Sequence, residues 1–189
     1  IGVVRCFSLG KRLLNFSIIF SSLQNLKHFI LKLIYSKQSK TFIKKIYKNI
    51  SINSYVLIGF DLKKNLSVLN AAYNDSSGLT KKFNLNLLNR INIKLKGNFK
   101  LNKFIHFGSY NPLLGAMESF LISLIKQKIF IKDLDKYFEF DVFEPIHLEF
   151  SFKYSISDID KLAKNSNFKI IKNYTDSKKY FIDSLWKKE

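Results

Sequence analysis

The sequence predicts an α/β fold, and three stretches carry that expectation. Tyr55-Val56-Leu57-Ile58-Gly59-Phe60 is a short apolar run, β-branched and aromatic enough for a buried strand. Behind it, Leu66, Leu69 and Ala72 recur at about one turn, and Phe83, Leu87 and Ile91, joined by Leu88, form an i, i+4 stripe, so two helices are expected. Near the end, Ile156, Ile159, Leu162 and Ala163 make a short amphipathic helix before two strand-like runs, Phe168 to Tyr174 and Tyr180 to Trp186. Strands alternating with helices in this way form layered α/β sheets.

The first strand ends abruptly in charge at Asp61. A carboxylate at the C-terminal end of a strand in an open α/β sheet sits where ligands usually bind. Asn74-Asp75-Ser76-Ser77-Gly78 interrupts the two helices with turn-forming residues. Tyr73 falls at that junction. A tyrosine at a helix end reads first as packing, and beside a polar turn its hydroxyl also suits a binding site.

The chain has 189 residues, enough for one domain with a core of its own. It begins at Ile1 rather than Met, and reads as a fragment. Hydrophobic residues make up 47% and aromatic residues 15%, too apolar for a disordered chain. With 7 Gly and 2 Pro there is no Gly/Pro-rich linker to mark a boundary. The net charge of +18, from 32 basic and 14 acidic residues, raises nucleic acid or an anionic membrane as partners. The lysines are scattered, however, and Lys, Asn, Ile and Phe are over-used together, as in proteins encoded by AT-rich DNA. Clusters such as Lys44-Lys45 read as solvated faces, so neither nucleic acid nor membrane is expected as a partner.

A single cysteine, Cys6, excludes an internal disulfide and any CxxC metal site, and fits a reducing cytoplasm. The chain carries no run long enough to span a membrane. Leu13 to Leu23, behind Arg5, Lys11 and Arg12, faintly resembles a secretory leader, and the absent Met argues against that reading. Motifs such as HExxH, a nucleophile elbow or a phosphate loop are missing. His28, His106 and His147 are widely separated and read as structural or surface histidines, so no metal is expected.

In chain order, Leu13 to Phe20 reads as a strand and Ser21 to Leu26 as the loop leaving it. Leu26, Phe29, Ile30 and Leu33 form one helical stripe, and Phe42, Ile43, Ile46, Tyr47 and Ile50 another. At 100° per residue the two stripes point to nearly opposite sides, so a break is expected across Ser36 to Thr41. Phe104 to Tyr110, Lys128 to Ile131 and Tyr137 to Val142 read as strands, and with the Met117 to Ser123 run they suggest one antiparallel sheet. Propensity alone favours a helix over residues 114–126. Glu149 and Ser151 lie two apart in an extended run, which points them to one side, as two groups gripping one ligand must be. On spacing alone, a solvated strand face has the same pattern.

Two long stretches resemble a known family. Ile58-Gly59-Phe60-Asp61-Leu62-Lys63-Lys64, Ala71-Ala72-Tyr73-Asn74-Asp75, Gly78-Leu79-Thr80, Phe83 to Leu88 and Arg90-Ile91-Asn92 resemble the signature of histidine-specific, S-adenosylmethionine-dependent methyltransferases, the type that trimethylates the histidine α-amino group on the way to ergothioneine. Glu144, Ile146, Glu149, Ser151, Lys153, Tyr154 and Ser155 match a second signature of that family. Met117 to Ser123 resembles the family's Ile-Glu-Met-His-Leu-Val-Ser run through Glu118, Leu121 and Ser123, and this resemblance favours a strand there. Ser21, Ser22 and Asn25 resemble a family loop in which Phe20 and Gln24 replace glycines.

The resemblance implies the C-terminal part of a Rossmann-like class I methyltransferase sheet with an inserted α+β substrate-binding lobe. The expected division is 1–61 as partial sheet, 62–150 as the lobe, and 151–189 as the last helix and strands. It implies S-adenosylmethionine as methyl donor and histidine as substrate, in a cytoplasmic monomer. Asn25 and Tyr73 are expected to hold the substrate carboxylate as neutral donors. Glu149 and Ser151 are expected to hold the imidazole, a carboxylate accepting one ring N–H and a hydroxyl serving the other nitrogen. Methyl transfer is an in-line displacement on an activated methyl, so positioning is the main task and no catalytic residue is assigned. The cofactor-binding residues stay unassigned, because the glycine-rich loop and ribose-binding acid have no counterpart in the sequence. The alternatives are a catalytically inactive truncated relative and a basic nucleic-acid-binding module.

Overall fold

The computed structural model describes residues 39–189. In chain order their elements are α1 (39–49), β1 (Tyr55–Asp61), α2 (Leu66–Tyr73), α3 (Leu79–Leu95), β2 (Phe104–Asn111) and β3 (Ala116–Ser123). There follow β4 (Gln127–Ile131), β5 (Lys136–Phe140), β6 (Pro145–Phe152), α4 (Ile156–Lys164), β7 (Phe168–Thr175) and β8 (Phe181–Lys188). The described residues divide into two compact units, one formed by residues 64–152 and the other by 39–63 together with 153–189.

In the second of these units β8 lies between β1 and β7 and is antiparallel to both. β1 and β7 are therefore parallel to each other, as strands joined through a helix, here α4, usually are. The core gathers Ile58, Phe60, Ile159, Leu162, Phe168, Ile182 and Trp186, with Ile43 from α1. Trp186 stacks on Phe60 at 5.8 Å and donates its indole N–H to Ser184 at 2.6 Å. Ser184 in turn donates to Asn173, so the indole N–H and the Ser184 hydroxyl taken into this core are both bonded. The end of α1 is held from β8: Lys188 Nζ donates to the carbonyls of Tyr47 and Ile50 at 2.8 and 2.9 Å and sits over the Tyr47 ring. A Ser155–Asp158 capping box, which the serine three residues before an acid allows, is present with both reciprocal bonds starting α4.

Residues 64–152 form a three-stranded antiparallel sheet in the order β2-β3-β6, and a separate hairpin of β4 and β5. Their apolar core includes Leu88, Phe99, Phe104, Leu121, Ile129, Phe140 and Ile146. The Met117 region is a strand, against its helical propensity, because it pairs on both edges with β2 and β6.

Three expectations need correction. The antiparallel strands form two sheets instead of one. Ser39, Lys40 and Thr41 are helical, so the expected break does not extend over these residues. The buried face of α3 is shifted by one residue: Asn84 and Leu88 are buried, Leu85, Ile91 and Leu95 line the core, and Phe83 is 75% exposed. Asn84 takes a core position because its amide is bonded there, as described below. Leu13 to Phe20, the Leu26 to Leu33 stripe, Asn25 and Cys6 lie outside the described residues.

Candidate functional site

Sheet register brings three of the four anticipated site residues to one surface. On β3, Met117 and Ser119 are two apart and share a face. Met117 is opposite Ser151 on β6 and Ser119 is opposite Glu149. On the other side, Met117 faces Tyr110 and Ser119 faces Gly108. Two rows therefore cross the sheet on this face, Tyr110–Met117–Ser151 and Gly108–Ser119–Glu149. Just beyond the second row the β3–β6 register shifts between Ser119 and Phe120, a bulge of the kind that re-aims side chains.

Tyr73 reaches the same face from α2. It is 5% exposed and packs with Leu69 and Met117, with Tyr110 beside them. A Cβ placed on Gly108 would lie 2.9 Å from Cβ of Tyr73. Only glycine lets β2 approach the end of α2 this closely. Asn74 then ties the helix end to the strand twice, donating through Nδ2 to the Gly108 carbonyl at 2.9 Å and accepting the Gly108 N–H at 3.0 Å.

The two β6 residues differ in environment. Glu149 is exposed, and Ser119 Oγ donates to its Oε1 at 3.4 Å. Ser151 is buried, at 8% exposure. Ser119, fully buried, stands where the family run has a methionine. The face so built offers a carboxylate, hydroxyls and an aromatic ring, which can accept and donate hydrogen bonds around a small polar ligand. Asn25 lies outside the described residues, so the structure does not place it.

Sequence reasoning missed Ser119, Asn74, Asn84 and the part played by His106. The first depends on cross-strand register, for which the sequence has no local sign. His106 Nε2 is 2.8 Å from the Tyr73 carbonyl and its Nδ1 is 3.1 Å from Nδ2 of Asn84. A polar residue one turn before Leu88 on an otherwise apolar stripe was the available clue.

Asp75 organises the polar turn after Tyr73. Its carboxylate accepts from the N–H groups of Leu79 and Thr80 and from the Ser77 hydroxyl. The Ser77 bond first, and then those from Thr80 and Leu79, hold the carboxyl well below the usual aspartate range. It thereby caps α3, whose N-cap residue is Gly78 in the left-handed conformation.

In the other unit, Asp61 at the end of β1 pairs with Lys153 at 2.9 Å. Beside them, burial pushes the Asp158 carboxyl up, but bonds from the Ser155 backbone and hydroxyl and from Lys63 outweigh it and bring the pKa down to about 2. The Tyr154 hydroxyl is pushed up chiefly by burial; a bond with Ser39 acts against this and the charge of Asp158 adds to it.

Three described glycines, Gly59, Gly97 and Gly108, leave no room beside their backbone for part of a methyl donor. The glycines at which a Cβ would meet close neighbours are filled by protein: Phe181 and Asp183 at Gly59, Asn92 and Ile91 at Gly97, Tyr73 at Gly108. None of them opens a cradle for a nucleoside. No group of three or more metal-ligating side chains occurs among the described residues, and none of their helices is long and apolar enough to cross a membrane.

Fold and site together define a mixed α/β protein with a polar face built on an antiparallel sheet. The chain belongs to the histidine-specific, SAM-dependent methyltransferase family, whose sequence pattern matches residues 34–188. It is 33% identical over 99 residues to a histidine N-alpha-methyltransferase of Mycobacterium tuberculosis, covering 52% of this chain and 31% of that relative. It is 26% identical over 139 residues to ergothioneine biosynthesis protein 1 of Schizosaccharomyces pombe, covering 73% of this chain and 18% of that protein. The chain thus spans a third or less of the length of the curated relatives it matches. A solved S-adenosylmethionine-dependent methyltransferase from Clostridium acetobutylicum aligns over 83% of this chain and 53% of its own, with 13% identity and a TM-score of 0.40.

Proposed function

We propose that this chain is the substrate-recognising part of an enzyme that transfers methyl groups from S-adenosylmethionine to the α-amino group of histidine. What supports the reading is the family match over residues 34–188, together with the single sheet face shared by Tyr73, Glu149 and Ser151. In this reading residues 64–152 act as the substrate lobe. Glu149 accepts an imidazole N–H and Ser151 serves the other ring nitrogen. Tyr73 and Asn25 donate to the substrate carboxylate. A site of such polar groups rejects amino acids without an imidazole, since its own groups would then be left unpaired. The chain's contribution is therefore orientation and selectivity, and the donor is held by residues other than those described.

The test is incubation of the full natural protein with methyl-labelled S-adenosylmethionine and each of the common amino acids. Label transferred to histidine, with the others near background, is the expected result. Absence of transfer, with no heat on titrating histidine into the protein, overturns the reading in favour of an inactive relative.

A further inference from the structure

We propose that His106 is a positioning residue for the amine-substrate site, holding Tyr73 through a ring tautomer that Asn84 selects. The inference rests on the reading of Tyr73 as a substrate contact and deepens it.

Tyr73 is the last residue of α2, and carbonyls at a helix end lack partners within the helix. The Tyr73 carbonyl finds its partner in Nε2 of His106, at 2.8 Å. A carbonyl only accepts, so Nε2 carries the proton. Nδ1 is then an acceptor, and the group facing it at 3.1 Å is the side-chain amide of Asn84. Asn84 is 5% exposed on the inner face of α3, where an unbonded amide would be costly. The three residues form a relay from α3 through β2 to the end of α2, with one assignment of protons that satisfies both ring nitrogens and the Tyr73 carbonyl.

His106 and Gly108 are two apart on β2 and face the same way. His106 holds residue 73 by its carbonyl, and Gly108 holds residue 74 by two bonds while its bare Cα lies against the Tyr73 side chain. The ring is enclosed by Leu69 and Met117, and Met117 is the cross-strand partner of Ser151. Backbone and ring of Tyr73 are thus fixed independently, one by a polar clamp and one by packing. Fixing both places the phenol hydroxyl relative to Ser151 before any ligand arrives, which is how a preorganised site limits the entropy lost on binding.

Two amide variants separate this role from simple support of the fold. In His106→Gln a side-chain N–H returns near the position of Nε2 and can reach the Tyr73 carbonyl. In His106→Asn the amide reaches only the position of Nδ1, beside Asn84. In the full natural protein the expected KM for histidine rises about tenfold in His106→Asn, the loss of one hydrogen bond, and about twofold in His106→Gln. Affinity for S-adenosylmethionine stays within about twofold in both, being governed elsewhere. Combining His106→Asn with Tyr73→Phe is expected to add little to either change alone, because both act through one contact. Nitrogen-15 NMR of the unmodified protein should show the neutral His106 ring protonated on Nε2, a readout independent of any variant.

An Nδ1-protonated ring, equal KM values in the two His106 variants, or additive losses with Tyr73→Phe overturn the inference. If Tyr73→Phe and Glu149→Ala raise KM while His106→Asn does not, only this inference fails. If Tyr73→Phe leaves KM unchanged, the reading of Tyr73 on which it rests fails with it.

Discussion

Lys153 Nζ lies 2.9 Å from Oδ2 of Asp61, with the two side chains 0% and 9% exposed. The pair joins the end of β1 to the residue that follows β6. Around it, Tyr154 donates its N–H to the Asp61 carbonyl and Lys63 donates to the Tyr154 carbonyl, each at 2.9 Å. Removing one member of a buried ion pair leaves the other charge in a low-dielectric setting, whereas replacing both with apolar residues is often near neutral. Lys153→Ala is expected to cost about 3 kcal/mol in urea unfolding, and Asp61→Leu with Lys153→Met much less. Equal losses would show that packing, rather than charge, dominates at this position.

The Ser155–Asp158 box gives a pH dependence with a definite sign. The folded pKa of Asp158, about 2, lies below its ordinary 3.8. A depressed carboxyl adds stability above its unfolded pKa, and that share is lost as pH falls from about 4 toward 2. Asp158 is 40% exposed, so solvent screens the effect and keeps it modest. Asp158→Asn should flatten the acid limb of an unfolding series between about pH 4 and pH 2, the span between these pKa values. Ser155→Ala should lower stability by about 1 kcal/mol at neutral pH through loss of the cap.

On the proposed substrate face, Glu149→Ala should raise KM for histidine by the loss of a charged hydrogen bond, about 1.5–3 kcal/mol. Ser119→Ala removes the hydroxyl that donates to Glu149 and should cost less, about 0.5–1 kcal/mol, with the melting temperature little changed. Steady-state kinetics on the full natural protein measures both. A Ser119 effect that persists in Glu149→Ala would mean that the hydroxyl acts by another route.

Gly108→Ala forces a methyl group to within 2.9 Å of the Tyr73 Cβ and 3.4 Å of the Asn74 amide. Overpacking of this kind costs about 1–3 kcal/mol, and relief requires the end of α2 to shift. Thermal unfolding should show the loss of stability, and the KM for histidine should rise in the same variant. A lowered melting temperature with unchanged KM would place Tyr73 among purely structural residues.

Most elements were readable because their signals are local. The strand ending at Asp61, the Ser155–Asp158 box and the amphipathic face of α4 all follow from spacings of a few residues. Met117 to Ser123 was not, since its propensity favours a helix, and only the resemblance to a family run indicated a strand. The one-residue error on α3 arose because Asn84 counts as polar in any hydrophobic pattern, while His106 makes it a core residue. The same limit hid Ser119, whose relation to Glu149 spans 30 positions and depends on register and on the bulge after it. The split of the strands into a sheet and a separate hairpin is likewise a property of pairing. The family resemblance singled out Tyr73, Glu149 and Ser151, and the common face they occupy emerged only from the ladder between β3 and β6.

The paired backbone at Leu62 and Tyr154 has an evolutionary consequence. Residues 64–152 begin and end close to Lys63 and Tyr154, and the Lys63 N–H donates to the Tyr154 carbonyl. A segment whose ends already meet can be exchanged, lengthened or shortened with little change in the entropy of closing the surrounding chain. Such a segment can diverge as a cassette, acquiring selectivity for a new amine while the strands that receive it keep their pairing.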